Sequence, residues 1–305
     1  AGDRTPLMLL RAGLREGRHA QLGDLLRLVG AAELGTLLAD PASAPSLEQV
    51  EWLLAHGADP NVRDTEGRTP LTALLARAAD ALPVLQALLR HGASPAGAGG
   101  LAAYLAACVE GDHAARAFEG LSLDLLARGA DPFAASPQGD PPLALAVRLG
   151  WPRLVERLAG LGVDPDARDS RGMTALHLAA ALGREGALKA LVRHGASPSA
   201  RAADGQTPLG VALSAGRRDL ADWLDWQGWA LPRRALAATD LPQAASAGDA
   251  DAVRRLLDLG FDIDTPDAQA CTALLRAAGG GHLAVVDLLL ARGADTTCAA
   301  RSGAT

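Results

Sequence analysis

The sequence predicts an all-α solenoid, a stack of helix–turn–helix pairs, and three observations carry that expectation. Glycines recur at Gly57, Gly92, Gly129, Gly162, Gly195, Gly228, Gly260 and Gly293, at spacings of 35, 37, 33, 33, 33, 32 and 33 residues. Twelve residues after five of them stands a threonine (Thr69, Thr174, Thr207, Thr272 and Thr305), a residue type that caps helix N-termini. The chain is 49% hydrophobic but only 3% aromatic, so its core must be Leu, Ala and Val, which suits thin helix-on-helix layers better than one large core.

The stretch from Asp169 to Pro198 shows the unit most clearly. Gly172 supplies a positive φ for a tight turn, and the Thr174 hydroxyl takes an orphan helix N–H, so a helix starts at Ala175. Leu176, Leu178, Ala179 and Ala180 give it an apolar body, and Gly183 stops it. Leu188, Leu191 and Val192 then form the stripe of a second helix, which Gly195 ends before Pro198. A helix of roughly ten residues is marginal alone, so the unit needs copies of itself.

In order along the chain, Thr5-Pro6-Leu7 opens a first helix, and Leu22, Leu25, Leu26 and Val29 mark its partner. Only 27 residues separate Gly30 from Gly57, which leaves room for two helices and none for a projecting hairpin. From Asp64 to Pro95 the pattern is regular, with Asp80 and Pro83 expected to lengthen the link between helices. The stretch 97–100 lacks a Thr-Pro cap, and the long interval from Gly111 to Gly129 predicts an extra loop over Asp112 to Gly120. From Pro137 onward the units keep register, with Asp240 expected to supply the capping oxygen in place of a threonine. The period divides 1–305 into one solenoid of about nine helix pairs, 1–30, 31–63, 64–97, 98–135, 136–168, 169–201, 202–234, 235–266 and 267–299, plus the start of a further repeat at 300–305. Neither end reads as a polar capping repeat, so the chain is expected to be a piece of a longer array.

The run from Thr174 to Ala179 (TALHLA), the Thr-Pro caps at Thr69 and Thr207 and the Gly-Ala-Asp/Ser-Pro phrases at Gly57, Gly92, Gly129 and Gly195 resemble ankyrin repeats over nearly the whole chain. That resemblance implies a protein–protein interaction module or scaffold binding its partner through the turn tips and exposed first-helix positions of a concave face. Carried over by register, the partner-binding positions are Glu66, Arg68, Arg77, Glu110, Asp140, Arg148, Arg171, Met173, Asp204 and Gln206. The resemblance also implies that His177 bonds across to the Thr174 region.

Chemistry beyond binding finds no foothold in the motifs. His56, His91 and His194 share the place before a terminal glycine, but helices stacked about 8–10 Å apart keep neighbouring imidazoles from sharing one ion, so helix C-capping is the reading adopted and no metal is expected. No nucleophilic spacing recurs, and Gly279-Gly280-Gly281 sits at a helix end rather than in a phosphate loop, so neither an enzyme nor a cofactor is expected. A net charge of −6 argues against a nucleic-acid partner. Arg68, Arg77, Arg148 and Arg171 fall on one side by register, which suits an acidic protein segment; a small-anion or nucleotide sensor using that arginine cluster is the alternative. A regulatory or targeting segment of a larger bacterial effector is a further one, since 28 of the 29 basic residues are arginine, a bias of GC-rich coding. Three cysteines without metal-like spacing and no membrane-length apolar run favour a cytoplasmic setting. Trp223, Trp226 and Trp229 crowd the end of one second helix, where packing is preferred over a role as binding anchors.

Overall fold

The computed structural model describes residues 5–17, 22–39, 46–64, 66–75, 77–97 and 99–303. Among these the chain is all-α, with eighteen helices and a single isolated bridge between Arg168 and Thr174. It divides into two compact units, Ala1–Leu145 and Ala146–Thr305.

The first unit holds α1 (Pro6–Arg15), α2 (Gly23–Leu26), α3 (Ala31–Ala39), α4 (Leu47–Ala55), α5 (Pro70–Leu75), α6 (Ala78–Arg90), α7 (Gly100–Glu110) and α8 (Arg116–Ala127). The first helices α1, α3, α5 and α7 pack in succession and α4 packs on α6, so each short helix covers its apolar face with the next pair. Gly30 leads straight into α3, with no hairpin between them. Ser46 starts α4 with a capping box: its hydroxyl accepts the Gln49 N–H at 3.3 Å and its own N–H reaches Gln49 Oε1 at 3.0 Å.

One expected loop is helix instead, and another is mostly so. Asp80 and Pro83 do not lengthen a link, because both lie inside α6, a helix of 13 residues. An interior proline costs about 3 kcal/mol. Ala81, Val84, Leu85 and Leu88 are buried at helical spacing, and at about 1.5–3 kcal/mol for each large side chain their burial outweighs that cost. The stretch from Asp112 to Gly120 is likewise mostly the start of α8, whose Leu121, Leu125 and Leu126 are buried. Gly99, at φ 80°, takes the N-cap place of α7 in the absence of Thr-Pro.

The helix α9 (Pro142–Leu149) spans the division between units. In the second unit follow α10 (Pro152–Gly160), α11 (Ala175–Leu182), α12 (Glu185–Arg193), α13 (Pro208–Ser214), α14 (Arg218–Leu224), α15 (Asp240–Ser246), α16 (Ala250–Asp258), α17 (Ala273–Gly280) and α18 (Leu283–Ala291). First helices pack on first helices, α11 on α13 and α15 on α17, and second on second, α10 on α12 and α16 on α18. Leu176, Ala179, Leu188 and Leu191 are fully buried between them. Gly183, at φ 67°, closes α11 in the left-handed conformation.

Asp240 is the first residue of α15 rather than its N-cap; its buried carboxylate accepts the Ala237 N–H at 2.8 Å and both terminal nitrogens of Arg234 at 2.8 and 2.6 Å. The carboxylate therefore ties down the chain entering the helix. Gly228 does not end a helix, since α14 stops at Leu224. Its glycine is needed for close approach, because a Cβ there would lie 2.2 Å from Asp249 Oδ2. Thr305 lies outside the described residues.

Candidate interaction surface

Each regular repeat carries a five-residue turn leading into its first helix. The first residue donates its N–H to the carbonyl of the fifth: Asp64 to Arg68, Ser136 to Asp140, Asp169 to Met173, Ala202 to Gln206 and Asp267 to Cys271, at 2.8–3.0 Å. The fourth residue is left-handed, and it is glycine at 67, 139, 172 and 205 but alanine at Ala270, with φ 59°. Where the first residue is aspartate, one carboxylate oxygen gathers two turn N–H groups: those of Glu66 and Arg68 on Asp64, Arg171 and Met173 on Asp169, and Gln269 and Cys271 on Asp267. The Arg68 N–H leads the donors that hold the Asp64 carboxyl below the usual range. At Asp267 desolvation pushes the other way, but the Cys271 and Gln269 N–H groups and the Arg276 guanidinium together outweigh it.

Below the turn, His177 braces two repeats. Its Nδ1 accepts from the Thr174 hydroxyl at 2.8 Å and sits 3.3 Å from the Thr174 N, while Nε2 lies 3.0 Å from the Gln206 carbonyl. These partners select the neutral tautomer protonated at Nε2. Burial, the largest influence, holds the imidazole pKa below its usual value. The Thr174 bond implied by the resemblance is therefore present, together with a second to the next repeat.

The candidate partner-binding residues divide by what already holds them. In the first unit Glu66 is exposed and pairs with Arg68 at 2.8 Å, and Arg68 also binds Asp64 at 3.0 Å. Arg77, at the N-cap of α6, and Glu110, the last residue of α7, are exposed. Asp140 is buried, so it does not face a partner as the register implied; its N–H donates to Ser136 Oγ and its carbonyl closes the turn. In the second unit Arg148 is bound at 2.6 Å to the fully buried carboxylate of Asp169, which removes it from the set of outward-facing cations. Arg171 is exposed and Met173 half-buried on the turn that Asp169 organises. Asp204 and Gln206 are exposed, with the Gln206 N–H on Asp204 Oδ1 at 3.0 Å.

Sequence reasoning missed a set of braces. Arg63, Arg168 and Arg201 each donate to the carbonyl of the turn glycine four residues on, Gly67, Gly172 and Gly205, at 2.7, 3.1 and 3.0 Å. The signal was there to read as a repeated Arg-x-x-x-Gly. Arg63 and Arg68 border a hollow of about 530 Å³ in the first unit, yet both already hold acceptors within the turn. Among the described residues no group of three or more His, Cys, Asp or Glu is placed to hold a metal ion, and no helix is long and apolar enough to cross a membrane.

The tryptophans lie at the end of α14. Trp223 and Trp226 meet edge to face at 5.8 Å, and Trp229 follows at 6.5 Å from Trp226. Lys189 stands over Trp223 and Arg255 over Trp226, at 5.9 and 5.3 Å, so cations from α12 and α16 clasp the pair. Neither the Trp223 nor the Trp226 indole N–H, both buried, has an acceptor among the described residues.

A family model of ankyrin repeats in three copies matches residues 113–202 and 143–225, and a model of ankyrin repeats in many copies matches 41–89 and 241–290. A search of curated proteins returned no match.

Proposed function

The chain belongs to the ankyrin-repeat family, and from that premise we propose that it is a protein-binding module that holds its partner on the turn tips and first-helix ends. Ankyrin repeats are in general protein–protein interaction modules. The observation that carries the proposal for this chain is the contrast between buried polar groups that fix each turn and the exposed side chains mounted on it. Asp169 and His177 are spent on the backbone beneath, while Arg171 projects from the same turn with its guanidinium uncommitted among the described residues. A pre-organised backbone spares the ordering cost of binding, leaving the exposed side chains to set specificity.

With Asp140 and Arg148 removed, the proposed contact set is Glu66, Arg68, Arg77 and Glu110 in the first unit and Arg171, Met173, Asp204 and Gln206 in the second. Arg77 and Arg171 carry uncommitted charge and suit an acidic segment of the partner. The small-anion alternative has less support, because Arg68 and Arg148 are neutralised by Asp64 and Asp169.

The test places a photo-crosslinking residue at Met173, at Gln206 or, as contrast, at the exposed Arg157 of α10, and identifies the captured protein by mass spectrometry. That protein is then titrated against the R77A/R171A double variant. The proposal expects capture from Met173 and Gln206 and a loss of roughly tenfold or more in affinity, as for lost charge-assisted hydrogen bonds. Capture from Arg157 alone, or unchanged affinity in the double variant, overturns it.

A further inference from the structure

Residues 225–239 stand where neighbouring repeats build a finger, and they build none. The chain instead lies back on the preceding repeat: Leu236 donates its N–H to the Arg193 carbonyl at 2.8 Å, and the backbone at Arg234 comes so near Gly195 that a Cβ there would stand 2.7 Å away. Between the Gly195–Ser199 turn and residues 230–233 this leaves a hollow of about 400 Å³. That volume falls within the range of about 300–1,000 Å³ typical of small-ligand sites.

The lining has three chemical parts. Leu209, Leu224, Leu231 and Pro232 with the Trp226 ring provide an apolar wall. Arg233 is exposed at the margin and has no partner among the described residues, and Asp225, whose Oδ2 accepts from Gln227 Nε2 at 2.7 Å, keeps Oδ1 for another donor. The third part is the Trp226 indole, whose buried N–H has no acceptor among the described residues. That N–H is closed off from the hollow as the ring stands, and a tilt of the ring brings it to an acceptor placed there. Arg255 meanwhile holds the ring from the α16 side.

We propose that this hollow binds a small zwitterion with an apolar body, the class of a free aliphatic amino acid. Its carboxylate meets Arg233 and the Trp226 N–H, its ammonium meets Asp225, and its side chain lies on the leucine–proline wall. A simple anion would face the Asp225 carboxylate uncompensated, and a simple cation would face Arg233; the zwitterion satisfies both. Its lining shares no residue with the proposed contact set, and the inference does not depend on the protein-binding reading.

The test follows the indole resonances of the five tryptophans in ¹H–¹⁵N spectra, assigned by single Trp→Phe variants, while leucine, leucinamide or N-acetyl-leucine is added. Leucine is expected to shift the Trp226 signal saturably and to leave Trp52 and Trp151 unmoved. Leucinamide, lacking the carboxylate, and N-acetyl-leucine, lacking the ammonium, should each bind at least about tenfold more weakly, as should leucine to R233Q and D225N. Both variants alter groups that carry little of the core, and the remaining indole signals verify their fold. Absence of a saturable shift with leucine at millimolar concentration, equal binding of the three compounds, or undiminished leucine binding in R233Q and D225N overturns the proposal.

Discussion

Removing the Asp169 carboxylate should unfold the second unit's best-formed turn from within. That side chain is fully buried and accepts three hydrogen bonds, from the Arg171 and Met173 N–H groups at 2.9 and 2.8 Å and from Arg148 at 2.6 Å. All three bonds end on a charged acceptor, a kind that contributes about 1.5–3 kcal/mol each, and bonds that share one carboxylate do not add. Asp169→Ala therefore costs about 3–5 kcal/mol, the range for breaking a buried pair from one side, because Arg148 keeps its charge with only 19% of its side chain exposed. Asp169→Asn retains an acceptor for the two N–H groups and should cost less. Arg171→Ala, on the exposed tip of the same turn, should stay within about 0.5 kcal/mol. Urea unfolding followed by circular dichroism, with amide exchange of residues 169–182 to locate the loss, measures all three and the Arg148→Ala/Asp169→Ala cycle. A cost below about 1 kcal/mol for Asp169→Ala, or strict additivity in the cycle, would refute the assignment of Asp169 as the linchpin of turn and ion pair.

Ala270 holds the left-handed place that glycine fills in the other regular turns, so Ala270→Gly should stabilise the chain by about 1 kcal/mol, read as a raised unfolding midpoint. The reverse change at Gly172 should destabilise by more than that, since φ is 74° and the new Cβ would lie 2.6 Å from Ala203 Cβ; equal and opposite shifts would show that conformation alone matters there. His177 gives a pH signature. Its folded pKa lies below the ordinary 6.5, so the unfolded chain binds the proton more tightly. Its contribution is therefore complete above about pH 6.5 and is lost as the pH falls toward the folded value, at up to about 1.4 kcal/mol per pH unit. His177→Gln should flatten the stability profile below about pH 6.5, and a profile as steep as wild type would assign the acid sensitivity elsewhere.

The helix pairs were legible because their signals are local. Thr174 and Gly183 each act within one turn of the residues they cap, and the roughly 33-residue period repeats the message. Where local signals conflicted, burial decided. Pro83 reads as a break, but an apolar stripe on both sides of it keeps α6 whole. Gly228 reads as one more terminator, yet its helix had already ended and its role is to admit Asp249, whose carboxylate takes the Trp229 N–H at 2.5 Å. That close approach spans 20 residues and leaves no periodic trace.

The arginines show why the surface was harder to read than the fold. Register assigned Arg68, Arg77, Arg148 and Arg171 to one side and treated them as equivalent. The pairing of Arg68 with Asp64 stays within one five-residue turn. That of Arg148 with Asp169 crosses from the end of one first helix to the root of the next turn, 21 residues on. An aspartate at the turn's first position serves the backbone through one oxygen and leaves the other for whichever cation its own or the neighbouring repeat offers: Arg68 on Asp64, Arg148 on Asp169 and Arg276 on Asp267. A charge adjacent to such an aspartate is thus recruited into the scaffold before it can serve a partner. Arg77 and Arg171 escape because one stands at the N-cap place of α6 and the other at the turn's exposed tip, so in this chain a cation's place relative to the turn aspartates, rather than its place in the period, decides whether the scaffold holds it.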